Sequence, residues 1–145
     1  MRSSPTTITG CLADDMVLDT SALLALLNIE PESARLAVAI ESDPTRLISA
    51  ATVVEAGILI EARYGPAGDR ELDLLIAKAG LSIEAVTAEQ AEVARGAWRR
   101  FGKGRHTAGL NFADCFSYAL AKVAGEPLLF KGADFTQTDI TAAAY

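Results

Sequence analysis

Met16-Val17-Leu18-Asp19-Thr20-Ser21-Ala22-Leu23-Leu24-Ala25-Leu26-Leu27-Asn28 decides the fold class. Met16 to Asp19 has the length and apolar character of a short buried strand. Thr20 and Ser21 follow it directly and can cap the helix formed by Ala22 to Asn28. A buried strand feeding a helix is the unit of parallel sheets, and the unit recurs. Arg46-Leu47-Ile48-Ser49 reads as a second strand, followed by a helix from Ala50 to Ala62. That helix is apolar almost all round, so it is buried or lies in an interface.

The remaining segments fit the same plan. Pro31 suits the first turn of a helix running to about Ile40, and Pro44 closes it. Tyr64-Gly65-Pro66-Ala67-Gly68 breaks the apolar helix, and Asp69 to Ala79 forms the next one, ended by Gly80. Leu81 to Val86 alternates like an edge strand, and Thr87-Ala88-Glu89-Gln90 resembles a capping box opening a helix that carries Ala91, Ala94, Ala97 and Trp98. Gly102 to Gly109 reads as a flexible basic loop. Asn111 caps a helix ending at Gly125, Pro127 to Phe130 is a last core strand, and Ile140 marks a final edge. The expected architecture is a single-domain three-layer α/β/α sandwich with a mostly parallel central sheet. Residues 1–15 are polar and irregular and read as a flexible N-terminal extension of a domain spanning 16–145. Met16 also reads as an alternative start.

With 145 residues the chain can bury a sizeable core without staples. Cys11 and Cys115 give neither a disulfide framework nor zinc spacing, which points to a reducing cytoplasm. No apolar stretch is long enough to cross a bilayer, and the first ten residues lack the apolar core of a signal peptide. The net charge of −6 argues superficially against a nucleic-acid partner. Its distribution argues otherwise, because no acid lies between Arg95 and Ala113, where Arg95, Arg99, Arg100, Lys103, Arg105 and His106 all fall. That segment suits a phosphate backbone, and it equally suits a solvated helix end whose cations answer the helix dipole.

Four acids sit against apolar sequence: Asp19, Glu55, Asp114 and Asp134. An unpaired buried charge is very costly, so such acids need compensation. Asp19 alone also reads as a strand-to-helix cap, Asp114 as the partner of Asn111 in a helix cap, and Asp134 as a turn residue. Glu55 resists such readings, because its helical neighbours Ala51, Thr52, Ile58 and Leu59 offer no cation. Asp14, Asp15, Asp43, Asp69 and Asp73 lie in polar contexts, and Glu61 can reach solvent. Asp19 and Asp134 follow strands and belong to the carboxyl edge of the sheet, where ligands of such folds bind. Asp114 reaches that edge only if its helix starts there. A hard divalent cation held by oxygen would gather the set, and phosphodiester hydrolysis is the chemistry that follows.

The ordered set of motifs resembles the PIN-domain family and, within it, the VapC-type toxins of type II toxin–antitoxin pairs. The resemblance rests on Met16 to Leu23, Ile48 to Glu55, Leu110 to Ala121 and Leu128 to Asp139. It implies a metal-dependent endoribonuclease whose acidic site is Asp19, Glu55, Asp114 and Asp134. Ser21 matches the family's hydroxyl residue near that site and Asn111 the polar residue heading the helix. Thr138 and Asp139 match the ending of the last motif. It further implies Mg²⁺ or Mn²⁺, an RNA substrate, dimers, and inhibition by a cognate VapB-type antitoxin. Oxygen-only ligands agree with Mg²⁺ or Mn²⁺ over zinc. In this reading Asp19, Asp114 and Asp134 coordinate the metal, while Glu55 is a ligand or the base. Ser21 and Asn111 hydrogen-bond the ligands, and Arg99, Arg100, Lys103 and Arg105 hold the RNA backbone.

Competing readings fit less well. A haloacid-dehalogenase-type phosphatase wants a second aspartate two residues after Asp19, where Ser21 stands. A receiver domain could use Asp14-Asp15 and Lys131, but it needs an aspartate ending a central strand, which Leu81 to Val86 does not supply. The non-enzyme alternative is a non-catalytic PIN-like RNA- or protein-binding module.

Overall fold

A computed structural model describes residues 15–42 and 44–145, so almost all of the expected N-terminal extension lies outside the described residues. In chain order the elements are β1 (Met16–Leu18), α1 (Thr20–Leu27), α2 (Ser33–Ser42), β2 (Arg46–Ser49), α3 (Ala50–Tyr64), α4 (Pro66–Lys78), β3 (Leu81–Glu84), α5 (Ala88–Phe101), α6 (Phe112–Ala124) and β4 (Leu128–Leu129). A 3₁₀ turn follows at Asp134–Gln137.

The strands form one sheet in the order β3-β2-β1-β4, and every pairing in it is parallel. Because its side chains alternate, each strand feeds two cores. Val17 and Leu128 face α5 and α6, with Leu47 packed alongside. Met16, Leu18, Ile48 and Leu129 face the layer built by α1 to α4. The sandwich therefore has three layers, as its alternating pattern predicts.

The order of the strands fixes where a ligand can sit. From β1 the chain builds outward to β2 and β3, then returns to place β4 on the other side of β1. The reversal lies between β1 and β4, and the crevice beyond their carboxyl ends is where open parallel sheets bind ligands. Asp19, directly after β1, donates its backbone N–H to Leu129 O of β4 at 3.0 Å and so stands in that crevice.

Several boundaries differ from the expectations. Asp19, not Thr20 or Ser21, caps α1. The second helix starts at Ser33, leaving Pro31 in a turn. Only Gly65 separates α3 from α4: at φ 71° it ends one helix and opens the other, with Pro66 at the first helical turn. β3 stops at Glu84. The C-terminal segment contacts the sheet through a single bridge between Leu128 and Ala142, two residues beyond the expected Ile140. The loop between α5 and α6 is tied down rather than flexible. Lys103 N donates to Leu110 O, Leu110 N to Phe101 O and His106 N to Gly102 O, while Ala108 and Leu110 are buried.

α3 is amphipathic in packing although not in composition. Thr52, Ala56 and Ile60 are buried, whereas Val54, Ile58 and Leu59 face outward. Ile60 is 1% exposed and Ile58 65%. An Ile60→Glu variant should therefore fail to fold at ordinary temperature, since it buries an unpaired carboxylate. Ile58→Glu should melt within about 0.5 kcal/mol of the wild type. Thermal melts of the two variants check this, and equal losses would show that both faces of α3 are buried.

Candidate active site

The crevice between β1 and β4 gathers the amino-terminal ends of three helices. α6 precedes β4 and runs against the strands, so it starts at their carboxyl edge. The condition set for Asp114 is met, and the clearest sign is a hydrogen bond spanning much of the chain: Ser117 Oγ donates to Asp19 Oδ1 at 2.7 Å.

Asp19 is 4% exposed and is held from three directions. Ser21 donates to its Oδ2 twice, through N at 3.0 Å and Oγ at 2.7 Å. The Ser21 hydroxyl in turn accepts the backbone N–H of Lys131 at 2.9 Å, which ties α1 to the exit of β4. A carboxylate oxygen has two lone pairs. Oδ2 uses both, while Oδ1 spends one on Ser117 and keeps one. Ser117 is fully buried and also lies 3.2 Å from the Thr52 hydroxyl of α3, so the three-residue set Asp19, Ser117 and Thr52 links three helices.

Glu55, in the second turn of α3, accepts a hydrogen bond from Thr20 Oγ1 at 2.5 Å. Burial raises its pKa; the Thr20 hydrogen bond opposes this, and the charge of Asp19 adds to the rise. Asp114 forms a reciprocal cap with Asn111: Asn111 N donates to Asp114 Oδ2 at 3.0 Å and Asp114 N to Asn111 Oδ1 at 2.8 Å. Its Oδ1 accepts no hydrogen bond among the described residues. The Asp114 carboxyl is pushed up to about 7, mainly by burial, with the Asn111 N–H lowering it and the charges of Asp19, Asp134 and Glu55 raising it further. Asp134 opens the 3₁₀ turn and is exposed, with its carboxylate free of partners among the described residues.

Asp114 thus feels the charge of the other three acids and Glu55 that of Asp19, and no Lys or Arg among the described residues opposes them at either group. Lys131, the cation next along the chain from β4, turns its ammonium to Glu30 and Glu32 instead. Among the described residues no three His, Cys, Asp or Glu side chains stand ready to hold a metal ion together. Three of the carboxylates lean on their own donors, Asp19 on Ser21 and Ser117, Glu55 on Thr20 and Asp114 on Asn111, while Asp134 has none among the described residues. The donor chemistry nevertheless fits Mg²⁺ or Mn²⁺. Such ions keep several waters and need only one or two carboxylates directly, and free lone pairs remain on Asp19 Oδ1, Asp114 Oδ1 and Asp134.

The other predicted residues fall elsewhere. Thr138 Oγ1 donates to Phe135 O and accepts from Ile140 N, capping the turn that carries Asp134. Asp139 accepts from Tyr118 Oη at 2.6 Å and pairs with Lys122 at 3.1 Å and Arg100 at 3.5 Å, so it clamps the C-terminal segment onto α6 and α5. Arg99, Arg100, Lys103 and Arg105 are all exposed at the end of α5 and in the loop after it. Arg105 stacks over Trp98, 4.4 Å from the ring centroid, and Arg100 over Phe101 at 4.6 Å. Ser117, Thr20 and Thr52 escaped the sequence reading as site residues. Ser117 carried the same signal as Glu55, a polar side chain on an otherwise apolar helix face.

The model of the PIN domain matches residues 16–140. Ribonuclease VapC30 of Mycobacterium tuberculosis is 55% identical over 129 residues, covering 89% of this chain and 98% of that protein. Ribonuclease VapC of Mycolicibacterium smegmatis is 56% identical over 127 residues, covering 88% and 98%. In three dimensions the crystal structure of Mycobacterium tuberculosis VapC20, a sarcin-ricin loop cleaving toxin, superposes with a TM-score of 0.71 at 21% identity, over 87% of this chain and 96% of that one. The chain belongs to the PIN-domain family, in its branch of VapC toxins.

The crowding of carboxylates has a measurable consequence without metal. A raised folded-state pKa means that stability is full below the ordinary aspartate value, falls as pH climbs toward 7, and is flat above it. Asp114→Asn keeps an acceptor for the Asn111 N–H and removes the charge. The favourable interaction of Asp114 with the helix dipole, worth about 0.3–1 kcal/mol, is smaller than the cost of burying its charge beside the other acids, which the variant removes. With chelator present, the variant should gain about 2 kcal/mol at pH 8 once solvent screening is discounted, or roughly 5 °C in Tm, and nothing near pH 4. A variant less stable than wild type at pH 8 would mean that Asp114 is not crowded.

Proposed function

We propose that the protein is an endoribonuclease toxin that hydrolyses RNA phosphodiester bonds at a carboxylate-held Mg²⁺ or Mn²⁺ ion, acting in the cytoplasm and silenced by a cognate VapB-type antitoxin. One observation carries the reading. Burial first, then the charges of Asp19, Asp134 and Glu55, raise Asp114 to about 7 against the Asn111 hydrogen bond, and no cation among the described residues acts on it. The names of the relatives, ribonucleases over nearly their whole length, support RNA as the substrate.

Asp19 through Oδ1, Asp114 through Oδ1, and Asp134 would hold the ion directly or through its waters. Bound there, the ion would supply a Lewis acid for a phosphate oxygen and a water of lowered pKa. Glu55, whose raised pKa makes it a better proton acceptor near neutrality, orients the attacking water and takes its proton. Thr20 fixes the Glu55 carboxylate, Ser21 and Ser117 fix Asp19, and Asn111 fixes Asp114. Thr138 and Asp139 act at a distance, by holding the turn and segment that bring Asp134 to the crevice. Arg99, Arg100, Lys103 and Arg105 hold the RNA backbone, and that affinity falls as salt rises. The outward apolar stripe of α3 supports a homodimer or an antitoxin face.

A non-catalytic module of the same fold is favoured by one fact, that no three side chains stand ready for a metal. Thermal stabilisation separates the two readings, because an ion bound only by the native state raises Tm. Mg²⁺ should raise the Tm of the wild type and not that of Asp19→Asn. With a mixed cellular RNA pool, Asp19→Asn should lose roughly a thousandfold in cleavage rate, as expected when several kcal/mol of charge stabilisation vanish. Ser117→Ala should lose about 10–100-fold, as for a group orienting a ligand. Undiminished metal-dependent cleavage by an Asp19→Asn, Asp114→Asn double variant would refute the assignment.

A further inference from the structure

Lys131 stands at the crevice by its backbone, yet its ammonium is held elsewhere. Its N–H donates at 2.9 Å to the Ser21 hydroxyl, which itself donates to Asp19 Oδ2 at 2.7 Å. The Lys131 backbone is therefore one hydroxyl away from the acidic site. The ammonium pairs with Glu30 Oε1 and lies 3.3 Å from Glu32 Oε1, both in the turn after α1.

That turn breaks local rules. It closes α1 with two bonds, Ile29 N to Leu26 O at 3.2 Å and Glu30 N to Ala25 O at 2.9 Å. At such a helix end the left-handed residue is usually glycine, and the next one makes an apolar contact back onto the helix. Here the left-handed residue is Ile29, at φ 51°, and no other described non-glycine residue has positive φ. It gains no burial in return, being 82% exposed. Glu30 stands where the apolar residue belongs, and it is held by Lys131. A β-branched residue persists in that conformation only where its surroundings fix it, and such strain gathers at functional sites.

We propose that Lys131 is a further catalytic residue, held on Glu30 and Glu32 in the free protein and transferred to the scissile phosphate when RNA enters the crevice. The inference rests on the ribonuclease reading above and adds a cation that the strained end of α1 keeps in reserve.

The acids explain why it is kept away. A lysine left free beside Asp19 would pair with that carboxylate and compete with the metal ion, and the two glutamates prevent this. The hold is weak enough to release. The Lys131 side chain is 33% exposed, and pairs so open to water are worth little. Glu32 Oε1 is buried yet makes no hydrogen bond among the described residues, and letting go allows Ile29 to relax. A flexible four-carbon stem can aim the ammonium to either side of its backbone. At the phosphate, Lys131 makes and breaks no bond and keeps its proton. It donates a hydrogen bond to a non-bridging oxygen, where negative charge grows in the transition state and no other described cation is directed.

The test uses the full chain and a fluorescein-labelled single-stranded RNA octamer, with Ca²⁺, another oxygen-seeking ion, replacing Mg²⁺. Anisotropy is read across a salt series. Lys131→Met should lower the slope of log affinity against log salt by about 0.7, the loss of one single-strand phosphate contact, and Lys131→Arg should keep it. Glu30→Gln with Glu32→Gln should tighten binding roughly three- to thirtyfold, because more of the protein then has its cation free. That gain should vanish when Lys131→Met is added. Ile29→Gly should raise Tm and weaken binding, since it favours the held state. With Mg²⁺, Lys131→Met should lose roughly a hundredfold in kcat.

An unchanged salt slope in Lys131→Met overturns the proposal. So does a double glutamine variant that binds more weakly than the wild type, the mark of a purely structural clamp. A gain that survives in the triple variant overturns it too, because it reports added positive charge alone. If the salt slope follows Lys131 but Mg²⁺ brings no cleavage, the ribonuclease reading fails while the transfer of Lys131 stands. If the wild type cleaves and Lys131→Met cleaves equally well, only the role of Lys131 fails.

Discussion

Burial of carboxylates at the switch point of the sheet, made costlier by their neighbours' charge, is the constraint on which the structure turns. Asp19, Glu55, Asp114 and Asp134 arrive from separate elements and meet where β1 and β4 diverge. Folding brings them together at a cost, since burial and then neighbouring negative charge disfavour ionisation of Glu55 and Asp114. What offsets that cost is a set of short-range donors rather than cations: hydroxyls of Thr20, Ser21 and Ser117 and the amide of Asn111. Those donors serve two ends. They satisfy oxygens that burial would otherwise leave bare, and they hold each carboxylate in one orientation with a lone pair to spare.

The topology explains why so few residues suffice. Parallel strands present all their carboxyl ends at one edge, so each strand exit reaches the crevice without a long loop. The following helix starts there too, and its free N–H groups favour negative charge. Asp19 and Asp114 use that feature directly, one as the cap of α1 and the other as part of the cap of α6. A cap and a metal ligand are therefore not rival readings of either residue. In both residues the cap occupies Oδ2 and leaves a lone pair on Oδ1.

How much of this was legible in sequence follows from the range of each interaction. The strand-helix units, the capping box at Asn111 and the oddity of Glu55 are local, set by neighbours within a turn or two. The parallel sheet and its two covered faces follow from them. The partner of Asp19 is not local: Ser117 lies far along the chain, and only the packing of α6 on β1 brings it near. The tied loop after α5 was missed for a different reason. Its glycines and cations look solvated, yet the backbone bonds from Lys103 and Leu110 close it over a buried Leu110. Asp139 shows a third limit. The resemblance gave it only as the ending of the last motif, beside the acids, and Lys122, Arg100 and Tyr118 hold it there through long-range pairings that no local pattern shows.

Net charge conceals a division of labour that the surface makes plain. The chain totals −6, yet its two outward apolar regions sit in different fields. The stripe on α3 has Glu55, Glu61 and Arg63 on its own helix, and Asp69, Glu71 and Asp73 against Arg70 and Lys78 on α4 beside it, so acids outnumber cations there. The groove between α5 and α6, walled by Trp98 and Phe112, has arginines. Apolar surface is indiscriminate about what covers it, so the charges around it select the partner. A polyanion is drawn to the groove and repelled by the stripe, and anything basic experiences the reverse. On the proposed ribonuclease reading, one small domain keeps its RNA and a polypeptide partner on separate faces without a second domain.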